Sequence, residues 1–562
     1  MTDHLTDHMT VPTTSLAPPD EAVGPLIRGL SVLRHLAAAG GRRSVSDLVR
    51  DVGLARSTVD RVLSTLAALG YARLDGQEAV LTPRVMELGN AYLAASRLPD
   101  VLGPPADRLA DELDESVSLA VPDHDGVRFV HQAPRRRTMS VTFRAGDLIP
   151  AERAAPGALF AADWSHDDWL RWRDRRASDP GGPSFPIPLP RNDKAVASFE
   201  ERAAEARRDG WALDDQMIEP GLVAVAMPVH DGARRPACAV SVVSHTTRHS
   251  ARSLRESVVA RLRSAVADME RTLASAEPAH RRPAAEAVRM RALKHELGPD
   301  FVESLARGLH VLTAFGPAGG GSAGGSALTA LAQASGLARA TVRRSLITLE
   351  HLGYVEALEG RLFRLTPRVL DFGFAALSRL TLPQIARRHL VWLTTQVHDS
   401  ASMAVLAGDD IQYVARVAAS RIMSMDITVG TRFPAYATSM GRVLLSGLPP
   451  AGRAAVVRRS RLSPLTSRTV TSPERLAALL DQAAQDGHVL VDQELEDGLR
   501  AIAVPVRDLA GNVVAAINVS MHADRRTEEE ARAQVLPPLR TAAARIEADL
   551  HVAGRYLPIS AG

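Results

Sequence analysis

The chain has 562 residues, 46% of them apolar and 23% charged, with a formal net charge of +3. That length fits roughly three to five domains. So small a charge excludes a broadly basic surface, and any nucleic-acid-binding patch has to be local. The one cysteine, Cys238, excludes an internal disulfide and fits a reducing cytosol, and no apolar run approaches the roughly 18 residues of a membrane span.

The opening "MTDHLTDHMT" carries Asp3 and Asp7 and lacks the basic-then-apolar order of a secretory signal. With the proline-rich residues after it, it reads as a disordered lead-in over 1–23. His4 and His8, like His245 and His249 later, have i, i+4 spacing without a metalloprotease glutamate or nearby cysteines, so no metal site is expected.

Residues 24–95 read as one small domain. "SVSDLVRDVG" predicts a short helix stopped by a glycine. The helix after it has Val59, Val62, Leu63, Leu66 and Leu69 on one apolar face. Its outward side carries Arg56, Ser57, Thr58, Asp60 and Arg61, and the Ser57-x-x-Asp60 spacing suits an N-terminal cap. "YARLDGQEAVLTP" predicts a hairpin with "DG" at its tip. Two short helices joined by a glycine turn form a helix-turn-helix, and the hairpin makes a wing. A domain over 96–274 follows; its apolar run "ACAVSVV" makes Cys238 a buried small hydrophobe rather than a reactive thiol. Residues 275–300, charged and bounded by prolines, read as a linker.

The pattern then starts again, with a second small domain over 301–379 and a second larger one over 380–554. "DVGLARSTVDRVLSTLAALGY" at Asp51–Tyr71 and "ASGLARATVRRSLITLEHLGY" at Ala334–Tyr354 share 13 of 21 positions. Leu81–Leu93 matches Leu365–Leu377, Glu115–Val121 matches Asp399–Val405, and Gly210–Val229 matches Gly487–Val506, always in the same order. A period this long means two complete repeats, not a solenoid. The second recognition-type helix carries Arg339, Thr341, Arg343 and Arg344. A helix presenting arginines and hydroxyls from its N-terminal end can read a major groove, and a pair of such helices suits a pseudo-palindromic site on double-stranded DNA. Such a pair would make the chain an intramolecular pseudo-dimer, which leaves room for a homodimer as well. A helical hairpin that only packs or dimerises has the same local pattern. Arg343 stands where the first copy has Asp60, so the second copy is expected to attract phosphate more strongly.

These segments resemble a known family. "SLARGLHVLTAF", "LAQASGLARATVRRSLITLEHLGYV" and "LTPRVLDFGFAAL" are similar to the winged helix-turn-helix of IclR-type bacterial transcriptional regulators. "FPAYATSMGRVLL" and "DQELEDGLRAIAVPVRDLAGNVVAAINVS" are similar to that family's effector-binding domain, with wording nearest to regulators of protocatechuate, 4-hydroxybenzoate and β-ketoadipate catabolism. The resemblance implies an α+β fold: two tandem units, each a winged helix-turn-helix, a linker helix and a GAF-like α/β effector-binding domain built on a curved antiparallel sheet. It implies an effector site at Met425, Phe433, Ser439, Met440, Leu499, Ala501, Asn518 and Ser520. Ser439 and Met440 would open a helix whose N-terminus favours a carboxylate. Asn518 and Ser520 alternate on one strand face. Met425 and Phe433 serve equally as pocket wall or core. Asp492 and Arg500 suit an ion pair as well as a ligand.

In the first repeat Ser439 becomes Ala155, Met440 becomes Pro156, Arg500 becomes Val223, Asn518 becomes Ser241 and Ser520 becomes Val243, while Glu152 and Arg153 enter the loop. The first effector-binding-like domain is therefore degenerate: its pocket is expected to bind a different ligand or none, or the domain serves only as a pseudo-subunit supporting the second. "GPAGGGSAGGS" at Gly316–Ser326 lacks the Gly-Lys-Ser/Thr of a phosphate loop, and "ATSMG" lacks the first glycine of a nucleophile elbow. No catalytic residue, cofactor or metal is expected. The sequence thus points to a cytoplasmic, ligand-responsive, sequence-specific DNA-binding regulator whose effector is a small aromatic or dicarboxylic acid. The alternatives are an enzyme acting on a small aromatic acid and a non-DNA-binding sensor or dimerisation protein.

Overall fold

The computed structural model describes residues 17–135, 143–179, 185–187, 189, 192–275, 294, 296–315, 325–419 and 427–559. Contacts divide the chain into two compact units, one ending at Ser378 and the other beginning at Arg379. These units do not coincide with the sequence repeats: the first holds both winged helices and the first α/β domain, the second only the second α/β domain.

Each winged helix has three helices and a three-stranded sheet. The first has helices Gly24–Ala38, Val45–Val52 and Arg56–Ala68, then hairpin strands Ala72–Asp75 and Glu78–Leu81 with Arg42–Ser44 on the outer edge of the second. The Ser44 hydroxyl caps its helix by accepting the Asp47 N–H, and Gly53, at φ 68°, turns the chain into the next helix. The second has Glu303–Ala314, Leu328–Ser335 and Arg339–His351, hairpin strands Val355–Leu358 and Leu362–Leu365, and Gly336 at φ 63°. Val59, Val62, Leu63 and Leu66 are buried in one copy, Val342, Leu346 and Leu349 in the other. The first recognition helix begins at Arg56, its N-cap Ala55 offers no side-chain bond, and Asp60 pairs with Arg56. The cap read from Ser57-x-x-Asp60 is therefore not formed, because Ser57 already lies inside the helix.

Within the first unit the two winged helices dock through reciprocal contacts. The Thr65 hydroxyl accepts the Val302 N–H at 2.8 Å, and the Thr348 hydroxyl accepts the Val23 N–H at 2.9 Å. A Cβ added to Gly29 would meet Leu305 at 2.6 Å, and one added to Gly308 would meet Leu26 at 2.4 Å, so glycine lets the two first helices cross closely. The segments that follow the wings also meet, with Gly89 against Phe374 and Leu370, and Gly373 against Leu81 and Val85. They are not alike. Met86–Ser96 is a continuous helix, whereas the second copy breaks into a turn at Pro367–Asp371 and a short helix Phe374–Leu377, with Gly373 at φ 106° between them. The linker helix expected there is thus interrupted where Phe374 seats on Gly89.

Each α/β domain holds a six-stranded antiparallel sheet of one topology. In the second unit the order is Arg432–Pro434, Asp410–Val417, Ser400–Ala407, Val513–His522, Leu499–Arg507, Val489–Asp492. In the first domain it is Leu148–Pro150, Gly126–Ala133, Ser116–Asp123, Pro236–His245, Leu222–His230, Ala212–Asp215. In the second, helices Leu382–Val397 and Leu536–Ala553 cover one face. Helix Ser439–Ser446 packs on the other, over Ala404, Ala503 and Ala516. Those alanines keep the helix close to the sheet. Cys238 lies fully buried on a strand, its thiol pushed up to about 12 by burial, which fits the inert reading. No helix among the described residues is long and apolar enough to cross a membrane.

Candidate nucleic-acid interface and ligand site

The recognition helices present the anticipated side chains outward. Arg56, Ser57 and Arg61 are exposed on the first and Arg339, Arg343 and Arg344 on the second, while Thr58 and Thr341 are half-buried beside them. The first two turns carry two arginines and one aspartate in one copy and three arginines in the other. Their surroundings differ too. Arg56 is tied to Asp60 at 3.3 Å along its own helix. Arg343 donates to both carboxylate oxygens of Glu21, a residue of the lead-in to the other winged helix, at 2.5 and 3.0 Å.

In the second α/β domain the ligand-site candidates gather under the Ser439 helix. Thr438 caps that helix by accepting the Gly441 N–H. Ser439 and Met440 in its first turn are buried, Met440 within the core. Asn518 and Ser520 share the sheet face of Ala516, and Asn518 donates to Ser520 at 3.1 Å. Ala501 lies opposite Ser520. Leu499, two residues earlier at the strand's start, is half-buried on the same face. Phe433 packs on the core edge-to-face with Tyr413 at 5.9 Å. Met425 lies outside the described residues.

The pairing register exposes two residues that the sequence reading missed. Ser402 stands opposite Asn518 on one side and Arg416 on the other. Directly opposed residues of an antiparallel pair share a face, so Arg416, Ser402 and Asn518 form a polar row across three strands, with Ser520 beside it. Burial pushes the nearby Tyr413 hydroxyl up to about 12, with Arg416 pulling it the other way. The oxygens Ser402 Oγ, Asn518 Oδ1 and Ser439 Oγ are buried with no hydrogen-bond partner among the described residues. An unmet buried polar group costs about 1–3 kcal/mol, so a ligand that bonds these atoms relieves a standing cost. Period-two alternation in "SASMAV" puts Ser402 on the face of Ala404, but in "YVAR" it puts Arg416 on the face opposite Tyr413; only the bulge in the pairing, between Met403 and Ala404, brings Arg416 to the face of Ser402.

The other charged residues here are structural. Arg500 pairs with Asp492 at 2.8 Å and donates to the Ala523 carbonyl, so the ion-pair reading of the two holds. Arg442 is buried and makes a two-pronged bond to Glu494, at 2.7 and 2.6 Å, tying the Ser439 helix to the turn after Asp492.

The first α/β domain solves its core differently. Glu152 and Arg153 do not stand free in the loop. Glu152 is buried, accepting from the Trp172 indole at 3.1 Å and pairing with Arg175 at 2.9 Å, while Arg153 donates to the Met217 and Ile218 carbonyls. Trp164, Trp169, Trp172 and Phe199 form an edge-on aromatic cluster beside them. Buried Asp214 accepts the Met217 N–H, and its carboxyl is pushed up to about 7 by burial. Ala155 and Val243 keep the shape of the second domain's Ser439 and Ser520 positions without their hydroxyls. Among the described residues no cluster of metal-ligating side chains occurs.

Comparison with known proteins gives the family. Residues 25–76 and 304–359 match the IclR helix-turn-helix domain. Residues 193–271 and 374–548 match the bacterial transcriptional regulator IclR C-terminal domain. The chain is 44% identical over 242 residues to the Pca regulon regulatory protein of Pseudomonas putida, an alignment covering 43% of this chain and 81% of that relative. It is 35% identical over 249 residues to the p-hydroxybenzoate hydroxylase transcriptional activator of Acinetobacter baylyi, covering 43% and 90%. Among solved structures it is similar to a double mutant of the PobR inducer-binding domain from Acinetobacter in complex with 3-hydroxybenzoic acid, at 32% identity, covering 30% of this chain and 98% of that one, with a TM-score of 0.29. With both of its characteristic domains present twice, the chain belongs to the IclR family of bacterial transcriptional regulators.

Proposed function

We propose that this regulator reads a pseudo-palindromic operator with both winged helices of one chain and responds to a small aromatic acid bound in its second α/β domain. The observation that carries the effector is the polar row of Arg416, Ser402 and Asn518, with Ser439 and Ser520 at its margin. A guanidinium matches a carboxylate in two-pronged geometry. The serine and asparagine atoms suit ring hydroxyls, and Phe433, Met440, Leu499 and Ala501 give apolar walls. The name of one relative, the p-hydroxybenzoate hydroxylase transcriptional activator, supports an aromatic acid over a dicarboxylic one. The family is one of regulators, which retires the enzyme alternative.

The DNA contacts we assign are Arg56, Ser57, Thr58 and Arg61 in one reader and Arg339, Thr341, Arg343 and Arg344 in the other. The docked winged helices support the intramolecular pseudo-dimer, which acts in the cytoplasm. Effector binding changes the spacing of the readers only through differential affinity for two arrangements; moving the population from mostly bound to mostly released takes about 10²–10⁴-fold. Titration calorimetry with 4-hydroxybenzoate and protocatechuate tests the effector site. Wild type is expected to bind one of them, and Arg416→Gln and Asn518→Leu to weaken it at least tenfold; unchanged affinity in both variants overturns the assignment. Mobility shift on the upstream DNA tests the readers, with binding lost in Arg343→Ala/Arg344→Ala.

A further inference from the structure

The first α/β domain keeps the polar row but not its charge. Gln132, Ser118 and Ser241 stand opposite one another across three adjacent strands, at the positions that hold Arg416, Ser402 and Asn518 in the second domain. Ser118 is 0% and Ser241 2% exposed. Their hydroxyl oxygens and both amide atoms of Gln132 are buried with no hydrogen-bond partner among the described residues. Ser118 and Ser241 lie two residues from Ala120 and Ala239, so they share the face that packs beneath helix Ala155–Ala161.

Around the row, the second domain's polar margin has gone: Ser439 and Ser520 correspond to Ala155 and Val243. A core with no ligand to serve is stabilised by each unmet polar group it exchanges for an apolar one of similar shape. The margin has made that exchange and the row has not. What the row lost instead is its cation. Among the described residues the buried arginines of this domain are committed elsewhere, Arg128 to Asp123 and Asp371 and Arg153 to the Met217 and Ile218 carbonyls, and half-buried Arg175 pairs with Glu152 and Asp125. Among the described residues, no uncommitted buried guanidinium is left to meet a carboxylate brought to Gln132, Ser118 and Ser241, which would be desolvated without a counter-charge from them. An alcohol, phenol or amide would find both donors and acceptors.

We propose that the first α/β domain is a second ligand site, specific for an uncharged small molecule that carries a hydroxyl or amide on a compact apolar body. The regulator then takes two inputs of different charge. The choice of a neutral ligand rests on the reading of the second domain's row as a carboxylate site. The output of the first site has a physical route. Arg128, on the strand of Gln132, bonds Asp371 at 2.7 Å, and Arg144 donates to the Ser378 carbonyl at 2.7 Å, so this domain grips the segment that leaves the second winged helix.

The test is titration calorimetry on the full chain carrying Arg416→Gln/Asn518→Leu, which disables the second site. The probes are 4-hydroxybenzyl alcohol, 4-hydroxybenzamide and phenol, with 4-hydroxybenzoate as the charged comparison. We expect at least one neutral probe to bind with one site per chain, at least tenfold more tightly than 4-hydroxybenzoate. Ser118→Ala/Ser241→Val should weaken it at least tenfold, and Gln132→Arg should reverse the preference toward the acid. Absence of binding by all three neutral probes, or binding unchanged in Ser118→Ala/Ser241→Val, overturns the proposal. Failure of both 4-hydroxybenzoate and protocatechuate to bind the unmodified chain overturns the reading of the second domain instead, and is separately visible.

Discussion

The reciprocal threonines offer a direct test of reader docking. Thr65→Val and Thr348→Val each remove one hydroxyl at nearly constant volume and keep the β-branch. Each hydroxyl also donates back to its own helix, to the Arg61 and Arg344 carbonyls, but those carbonyls lie in the helical ladder and keep their backbone partners. The loss therefore falls on the docked N–H groups of Val302 and Val23, bonded at 2.8 and 2.9 Å. Both donors sit on half-buried residues, so water replaces part of each bond and the cost belongs at the low end, about 1 kcal/mol apiece. Two such losses make about 2 kcal/mol, close to thirtyfold in the docking equilibrium. Amide hydrogen exchange reads this locally: segments 17–23 and 298–302 are expected to exchange up to about thirtyfold faster in the double variant, each single variant giving about half the effect on the logarithmic scale. Thr65→Ser, which keeps the acceptor, should stay near wild type. Unchanged exchange in the double variant, or an effect confined to one threonine, would show that the winged helices do not dock reciprocally.

Three further outcomes are expected. Arg442→Ala strands buried Glu494 and should lower the stability of the second α/β domain by about 3–5 kcal/mol; adding Glu494→Met installs the Ala158–Met217 pair of the first domain, and thermal melting should recover a large part of the loss. Asp214 in the folded chain holds its proton up to about 7, well above the roughly 3.9 of an unfolded aspartate. Between those values the unfolded state binds fewer protons, so stability falls as pH rises and levels off above 7. Melting of Asp214→Asn against wild type from pH 4 to 8 should show a gap that widens through that window; a constant gap would rule out the buried carboxyl as its source. Glu21 neutralises Arg343 on an exposed surface, where an ion pair is worth about 0–1 kcal/mol. Fluorescence anisotropy should therefore show Glu21→Gln binding operator DNA up to about fivefold more tightly at low salt, with the gain shrinking as salt rises.

The winged helices were legible because their signals are local: an apolar stripe of period near 3.6, a glycine at the turn and a hairpin tip all fall within a few residues. The Ser439 helix and the alternation of Asn518 and Ser520 were legible for the same reason. Arg416 was not. In "YVARV" it looks like an outward residue of a half-buried strand, and only pairing with Ser402, fourteen positions earlier, places it in the row. Register between strands is set by turns and tertiary packing, which no local window contains. The broken linker at Gly373 was hidden likewise, since what breaks it is Phe374 meeting Gly89 from the other repeat. Glu152 and Arg153 looked like new pocket charges because a sequence shows that a charge exists but not which way it faces.

Fusion of the repeats changes what a substitution can do. In a symmetric homodimer every change occurs twice, so each interface residue must suit both sides at once. Here the docked positions still match: Thr65 with Thr348, Gly29 with Gly308, Leu26 with Leu305. Positions away from the docking contacts have separated: Asp60 against Arg343, Gln132 against Arg416, Ala158 against Arg442. One contact could not have arisen in a symmetric dimer without a twin. Buried Arg128 pairs with half-buried Asp371, joining the first α/β domain to the second linker, and the residues at the corresponding positions are Gln412 and Glu87, which carry no opposite charges. The pair therefore gives the first domain a grip on the second reader that the repeat does not reproduce. A ligand bound in the first domain, as proposed above, would act through this route, which gives one pair of readers an input that the repeat does not share.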